Sequence, residues 1–297
     1  MVFIENYRIH DSMNSSVYFK ILATVGFKRL VSSFMVVFGF LWLLIEPASL
    51  FFPDKLEFGW LGYFGLALVS LAGAIFLRLP RRAISKALSS PDSSIEIKVG
   101  DLFDEPAHLV IGTNDIFDTE LGDVIKPRSI QGQFLTRIYN SDRAKLDADI
   151  ETALDSLKHE RKQEPNKIRG KRWRYPIGTT IALGSLNTRY FLTAYGHMGN
   201  DLKCTSDADS IWISLSYLWK EVRLKGQGTQ VAIPIIGSDL ARTSLPRMVL
   251  VKIIIVSFIV ASKKEFVTKK LTVVVHPNDL NSVNLYDLED FLKSVCF

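Results

Sequence analysis

The chain has 297 residues, 47% of them hydrophobic, with 36 basic and 31 acidic side chains and a formal charge of +5. Its mean hydropathy of +0.15 is high for a wholly soluble protein of this length. Two cysteines, Cys204 and Cys296, argue against a disulfide framework, and the scattered His10, His108, His159, His197 and His276 show no zinc-ligand spacing.

Residues 1–29 read as an N-terminal segment, and residues 30–79 hold two apolar runs. The first begins LVSSFMVVFGFLWLLI and passes Glu46 and Pro47; the second carries no charge from Phe58 to Leu77. A bilayer core needs roughly 20 apolar residues in helix, so the pair predicts a transmembrane hairpin. Lys20, Lys28 and Arg29 precede it, and Arg78, Arg81, Arg82 and Lys86 follow it. Basic flanks stay on the cytoplasmic side, so both termini are expected there. The turn with Asp54, Lys55 and Glu57 then lies outside, and Trp42, Trp60 and Tyr63 fit an outer aromatic belt. Gly62, Gly65, Ala72 and Gly73 favour close helix packing, within the hairpin or between subunits. Glu46 beside Pro47 marks a helix end rather than an ion site, so no preformed selective pore is legible.

Residues 80–93, basic and then rich in Ser and Pro, read as a connector. From Ser94 to Phe297 strand and helix signals alternate, the pattern of an α/β domain. Strands are predicted over Ile95–Val99, Leu109–Gly112, Thr179–Leu183, Tyr190–Ala194, Gln230–Ile236 and Leu271–His276. Helices are predicted over Arg143–Lys162, Asp207–Leu224, Leu245–Ser262 and Leu285–Val295. The apolar stretch Met248–Ala261 is too short to span a bilayer and contains Lys252, so it predicts a helix buried on a sheet.

Ligands of α/β sheets sit where strands hand over to helices. Three such loops stand out: Gly100–Phe103, Gly112–Thr119 and Pro234–Arg242. The third offers backbone N–H groups and Gly237-Ser238 to a phosphate, a pattern that structural turns share. The cluster Arg161, Lys162, Lys167, Arg169, Lys171, Arg172 and Arg174, with Trp173 and Tyr175, mixes cations and aromatics as base-stacking surfaces do. One such segment near a membrane is more often a solvated face or headgroup contact, so no nucleic acid is expected.

The ordered set of loops resembles the macro domain, the ADP-ribose-binding module. Gly100-Asp101-Leu102 is similar to the family's Gly-Asp-Ile, Val110–Asn114 to its asparagine-bearing strand and loop, and Tyr190–Gly196 to its Tyr-Val-Ile-His-Thr-Val-Gly strand. Pro234–Ala241 resembles the second phosphate loop, with Asp239 where glycine is usual. The glycine-rich first phosphate loop is replaced by Phe117-Asp118-Thr119 and Ser129–Phe134, and the de-ADP-ribosylating segments are not recognisable. A two-helix hairpin with such a divergent domain resembles the membrane effectors of type II Thoeris anti-phage defence. The expected fold is thus an N-terminal two-helix transmembrane hairpin followed by an α/β macro-like domain, a mixed sheet sandwiched between helices.

The resemblance implies an abortive-infection effector rather than an enzyme. Its macro domain would bind an ADP-ribose derivative, histidine-ADP-ribose by the family's precedent, made by a TIR-domain partner. The bound signal would trigger inner-membrane disruption. The implied partners are lipid, that signal and further copies of the chain; no metal or resident cofactor is implied. By the same resemblance Asp101 takes the adenine amino group, with Leu102 and Phe103 near the ring. Thr113, Asn114, Phe117, Asp118 and Thr119 line the ribose and appended group, with Gln131 and Gly132 in the replacement segment. Pro234, Gly237, Ser238, Leu240 and Arg242 hold the diphosphate. The alternatives are a membrane-tethered ADP-ribosyl hydrolase and a scaffold whose macro fold is ligand-silent.

Overall fold

The structure is a computed structural model describing residues 15–51, 59–79, 82–167, 169–238 and 243–296. The chain divides into two compact units, Met1–Arg81 with Asn284–Tyr286, and Arg82–Val283 with Asp287–Phe297. The expected turn carrying Asp54, Lys55 and Glu57, with Arg81 of the basic flank, lies outside the described residues.

In the first unit α1 (Ser15–Ala23) leads through Gly26, in the left-handed region at φ 81°, to α2 (Phe27–Phe51). Helix α3 (Trp60–Leu77) follows. Both α2 and α3 are long and apolar enough to cross a membrane. They run antiparallel, with Arg78 Nε donating to Ser33 Oγ at 2.7 Å, Gly73 facing Val37, and Trp42 stacked on Tyr63 at 5.7 Å. A Cβ on Gly73 would stand 3.0 Å from Val37, whereas Gly65 faces open space, so of these two glycines only Gly73 serves close packing of the hairpin. Ser70, fully buried, returns its hydroxyl to Leu66 O at 2.7 Å and so brings no unmet donor to this apolar seam. Met35, Phe40, Leu43, Phe64, Leu68 and Phe76 remain exposed, a surface suited to lipid rather than water.

The second unit carries an eight-stranded mixed sheet. Its strands are β1 (Ala83–Ala87), β2 (Ser94–Val99), β3 (His108–Asn114), β6 (Thr180–Gly184), β7 (Arg189–Met198), β8 (Cys204–Thr205), β9 (Val231–Pro234) and β10 (Lys270–Val275). The order is β1-β2-β10-β9-β3-β7-β6, with β8 paired to β7. The central strands β2, β10, β9, β3 and β7 are parallel, and β1 and β6 close the edges antiparallel. A separate ribbon pairs β4 (Lys162–Gln163) with β5 (Trp173–Arg174).

The buried runs Leu109-Val110-Ile111 and Val231-Ala232-Ile233 explain the parallel centre, since strands covered on both faces need not alternate. Helix α4 (Ile130–Gln133), its π-helical continuation Phe134–Ile138, and α5 (Arg143–Leu154) pack Phe134, Leu146, Ile150 and Leu154 against Leu109, Ile111 and Leu192. Helix α6 (Ala208–Lys225) meets β6 and β7 and packs on α7 (Arg247–Lys264) through Trp219 and Phe258, with ring centroids 5.4 Å apart. Helix α8 (Leu285–Val295) ends the chain's described elements. As expected for the Met248–Ala261 stretch, α7 buries Leu250, Val251, Ile254, Ile255 and Phe258.

Three expectations are corrected. Glu46 and Pro47, read as the end of the first apolar helix, lie inside α2, which runs on to Phe51, the proline removing one backbone bond without ending the helix. Ala83–Ala87, read as connector, forms edge strand β1, in register from Ala83↔Lys98 to Ala87↔Ser94. The helix expected over Arg143–Lys162 stops at Leu154 with one 3-10 turn to Leu157, because no residue from there to Lys162 is buried to hold a further turn on the core.

Candidate functional site

Because the five central strands are parallel, their carboxyl ends open at one edge of the sheet, and the chain leaves them through five loops. These are Gly100–Phe103 after β2, His276 after β10, Ile235–Ser238 after β9, Asp115–Phe117 after β3 and Gly199 after β7. A cavity of about 860 Å³ is lined by two of them, Ile235–Ser238 and His276, together with the end of β3, Asp123–Lys126 and Leu202–Cys204; its volume is within the size range of small-molecule and cofactor sites.

Of the residues expected at a ligand, Thr113, Asn114, Gln131, Pro234, Gly237 and Ser238 line this cavity. Asn114 is 3% and Thr113 1% exposed, yet Asn114 Nδ2 and Thr113 Oγ1 have no hydrogen-bond partner. Asn114 Oδ1 is fully used, accepting from the Ile116 N–H at 3.1 Å and the Asp118 N–H at 3.2 Å. A buried orphan donor costs about 1–3 kcal/mol, a cost that a polar ligand in the cavity would remove. Gly237, at φ 82°, turns the chain out of β9 in a conformation that other residues resist.

Asp101, Leu102, Phe103, Phe117, Asp118, Thr119 and Gly132 do not line it. Asp101 Oδ1 caps the Phe103 N–H at 2.9 Å while Oδ2 meets Arg137 Nη1 at 2.5 Å. Burial raises the Asp101 pKa, but Arg137 and the Phe103 N–H outweigh it and hold the carboxyl below its ordinary range. Leu102 is buried in the core, and Phe103 carries Arg137 over its ring at 4.8 Å. Phe117 is fully buried edge-on against Tyr175 at a strained φ of 53°. Thr119 gives its hydroxyl proton to Asp147 at 2.6 Å. Gly132 lets the chain pass within a Cβ's reach of Lys126 O and Pro127 O. Leu240 and Arg242, with the neighbouring Asp239, lie outside the described residues.

The sequence reading missed Tyr195, Met198, Cys204 and His276 as lining residues. Strand alternation hides Tyr195: β3–β7 register shifts from Thr113↔Ala194 to Asn114↔Gly196, leaving Tyr195 as the bulged residue. Its ring lies on Gly112, where a Cβ would stand 2.6 Å from Cε1. His276 follows the end of a parallel strand, so the strand-end rule applied to β10 reaches it. Burial, then the charge of Asp115, pushes the Cys204 thiol up to about 12, so at neutral pH it is protonated and a poor nucleophile. Among the described residues no group of three or more His, Cys, Asp or Glu side chains is placed to hold a metal ion.

Four of the seven cations of the basic cluster pair with acids of the domain, while Lys162, Arg169 and Arg172 are exposed. Lys167, Arg169 and Arg174 pair with Asp118, Glu120 with Asp123, and Asp115, all on the loop after β3, and Lys171 pairs with Asp147 on α5. Arg161 stacks on Trp173 at 4.0 Å.

Residues 95–276 match the family described as Thoeris protein ThsA, Macro domain. The Thoeris protein ThsA of Bacillus amyloliquefaciens (strain Y2) is 28% identical over 209 residues, covering 68% of this chain and 69% of that protein. An Oceanobacillus iheyensis macrodomain mutant superposes with a TM-score of 0.51 at 16% identity, over 72% of this chain and 100% of that one. The latter likeness speaks for the fold alone. The matched segment runs from β2 to the residue after β10 and so takes in the whole cavity edge of the sheet: the chain belongs to the Thoeris ThsA macro-domain family.

Proposed function

We propose that this chain is an antiviral effector whose macro domain binds an ADP-ribose derivative and whose hairpin then breaches the inner membrane. The signal comes from a TIR-domain partner enzyme, and histidine-ADP-ribose is the derivative we favour. The observation that carries the reading is the pair of buried, unpartnered polar atoms, Asn114 Nδ2 and Thr113 Oγ1, at a cavity on the carboxyl edge of a parallel sheet. Family membership points the same way. The two apolar helices, with Lys28 and Arg29 in the first turn of α2 and Arg78 after α3, support a hairpin in the membrane with the domain on its cytoplasmic side.

A binder is favoured over a hydrolase because the segments used by de-ADP-ribosylating members of the family are not recognisable in the sequence. Ligand can act only through its different affinity for resting and active assemblies. The active state is therefore a rearranged or larger homo-oligomer of hairpins.

Calorimetry on the detergent-solubilised full-length chain tests this, with ADP-ribose, NAD and histidine-ADP-ribose as ligands. Tight binding of the histidine conjugate, weakened at least about tenfold by Asn114→Ala, is expected. Dye release from vesicles carrying the protein should follow ligand addition. Absence of binding to all three ligands, or binding that leaves both oligomeric state and dye release unchanged, would sink the proposal.

A further inference from the structure

We propose that the basic hairpin from Lys162 to Arg174 is a positioning element of the cavity, fixing the Asn114 side chain through the buried Lys167–Asp118 pair. The inference rests on the ligand reading above for what Asn114 touches, but its geometry is independent of it.

The loop after β3 carries four acids, Asp115, Asp118, Glu120 and Asp123. Each meets a cation of the hairpin: Arg174 with Asp115 at 2.5 Å, Lys167 with Asp118 at 2.6 Å, and Arg169 with both Glu120 at 2.5 Å and Asp123 at 2.6 Å. Lys171 reaches Asp147 at 2.6 Å, the carboxylate that also takes the Thr119 hydroxyl. Tyr175 N–H adds a bond to Asp115 O at 2.8 Å. The hairpin is thus laced along the loop from Asp115 to Asp123, and the far end of that loop, Asp123 to Ile125, lines the cavity.

These pairs are not equal. Arg169 is 45% exposed, and surface pairs contribute little because water screens them. Lys167 and Asp118 are both 0% exposed. Removing one partner of such a pair strands a buried charge, and the surroundings must move to accommodate it. The space is already filled: a Cβ on Gly170 would stand 2.3 Å from Asp118 Oδ1 and 2.8 Å from Lys167 Nζ. Lys171 N–H donates to Asp118 Oδ1 at 2.7 Å, and Lys167 Nζ also donates to Lys171 O at 3.0 Å.

Asp118 is held by its side chain and acts through its backbone. Its N–H, with that of Ile116, holds Asn114 Oδ1. Two donors on one amide oxygen set the carboxamide plane and aim Nδ2 away from the turn, where it has no protein partner. When Asp118 shifts, one of those donors goes, and the amide is free to flip its oxygen toward the ligand.

The test uses the full-length chain in detergent, ADP-ribose and histidine-ADP-ribose as probes, and hydrogen exchange of peptides spanning 113–119. Lys167→Met should weaken binding at least about tenfold and speed exchange in those peptides while the β9 and β10 peptides stay protected. Added to Asn114→Ala, it should weaken binding no further, although the melting temperature falls in both backgrounds. The neutral pair Lys167→Met with Asp118→Asn should recover part of the binding, and it stands in for the single variant if that one fails to fold. A lower melting temperature with unchanged affinity and unchanged 113–119 exchange would overturn the proposal, as would losses that add to those of Asn114→Ala. Binding indifferent to Asn114→Ala, or absent in the parent chain, would instead overturn the ligand reading; exchange alone then decides, faster in Lys167→Met supporting the positioning role and unchanged refuting it.

Discussion

Arg137 Nη1 stands 2.5 Å from Asp101 Oδ2, so the carboxylate that the family resemblance assigns to adenine is already engaged by a cation of the domain. The same guanidinium reaches Asp104 at 3.2 Å and covers the Phe103 ring. Arg137→Gln should therefore raise the titration of Asp101 back toward 3.8, measurable from its carboxyl carbon by NMR. With the folded value below the unfolded one, the carboxylate's stabilisation is present above pH 3.8 and is lost as pH falls through the folded value. The variant should flatten this acid limb of the melting curve. An unchanged Asp101 titration would show that the pair does not form in solution.

Gly112 and Tyr195 make a second test of the cavity. Gly112→Ala places a methyl group where the Tyr195 ring lies, and the ring, half-buried at the cavity wall, has room to yield. The variant should fold, with a loss no larger than overpacking usually costs, about 1–3 kcal/mol, while histidine-ADP-ribose binding weakens. Combining it with Tyr195→Ala should relieve the clash and restore the lost stability. A Gly112→Ala chain that binds like the parent would remove Tyr195 from the site.

Phe258 ties α7 to α6, fully buried against Trp219, whose Nε1–H donates to Ser257 Oγ at 3.0 Å. Phe258→Ala should cost about 3–5 kcal/mol, read as a drop in thermal midpoint of the macro unit, whereas truncating the exposed Leu224 should cost little.

His108 opens strand β3 and is fully buried, with Nδ1 accepting the Arg189 N–H at 3.1 Å. Burial, aided by the charge of Arg189, lowers its pKa below 6.5. The unfolded chain then binds the extra proton first, so stability should fall as pH drops from 6.5 toward the folded value. His108→Gln should lessen that slope; an equal slope in both proteins would assign it to other groups.

Much of this architecture is legible in the sequence because it rests on periodicity. The two charge-poor runs, the strands from Ile95 to His276 and the helices at Asp207 and Leu245 fall within a few residues of α2, α3, the sheet strands, α6 and α7. The loops at Asn114 and Gly237 follow from the strand ends. What was not legible depends on single tertiary events. Tyr195 faces the cavity only through a one-residue bulge, and β1 is a strand only because β2 offers it an edge. The basic cluster reads as an outward patch because composition cannot say that its counter-charges lie about fifty residues earlier in the chain, as Asp118 does from Lys167.

That separation has a consequence for how such a domain diverges. The acids at 115, 118, 120 and 123 and the cations at 167, 169 and 174 are two halves of one lock cut into distant parts of the gene. A change in either half is a defect until the other half answers it, and Gly170 leaves no volume for an approximate answer at the buried pair. Relatives should therefore inherit the two segments as matched sets, and chimaeras that exchange one segment without the other should lose ligand recognition while every residue at the cavity wall stays the same.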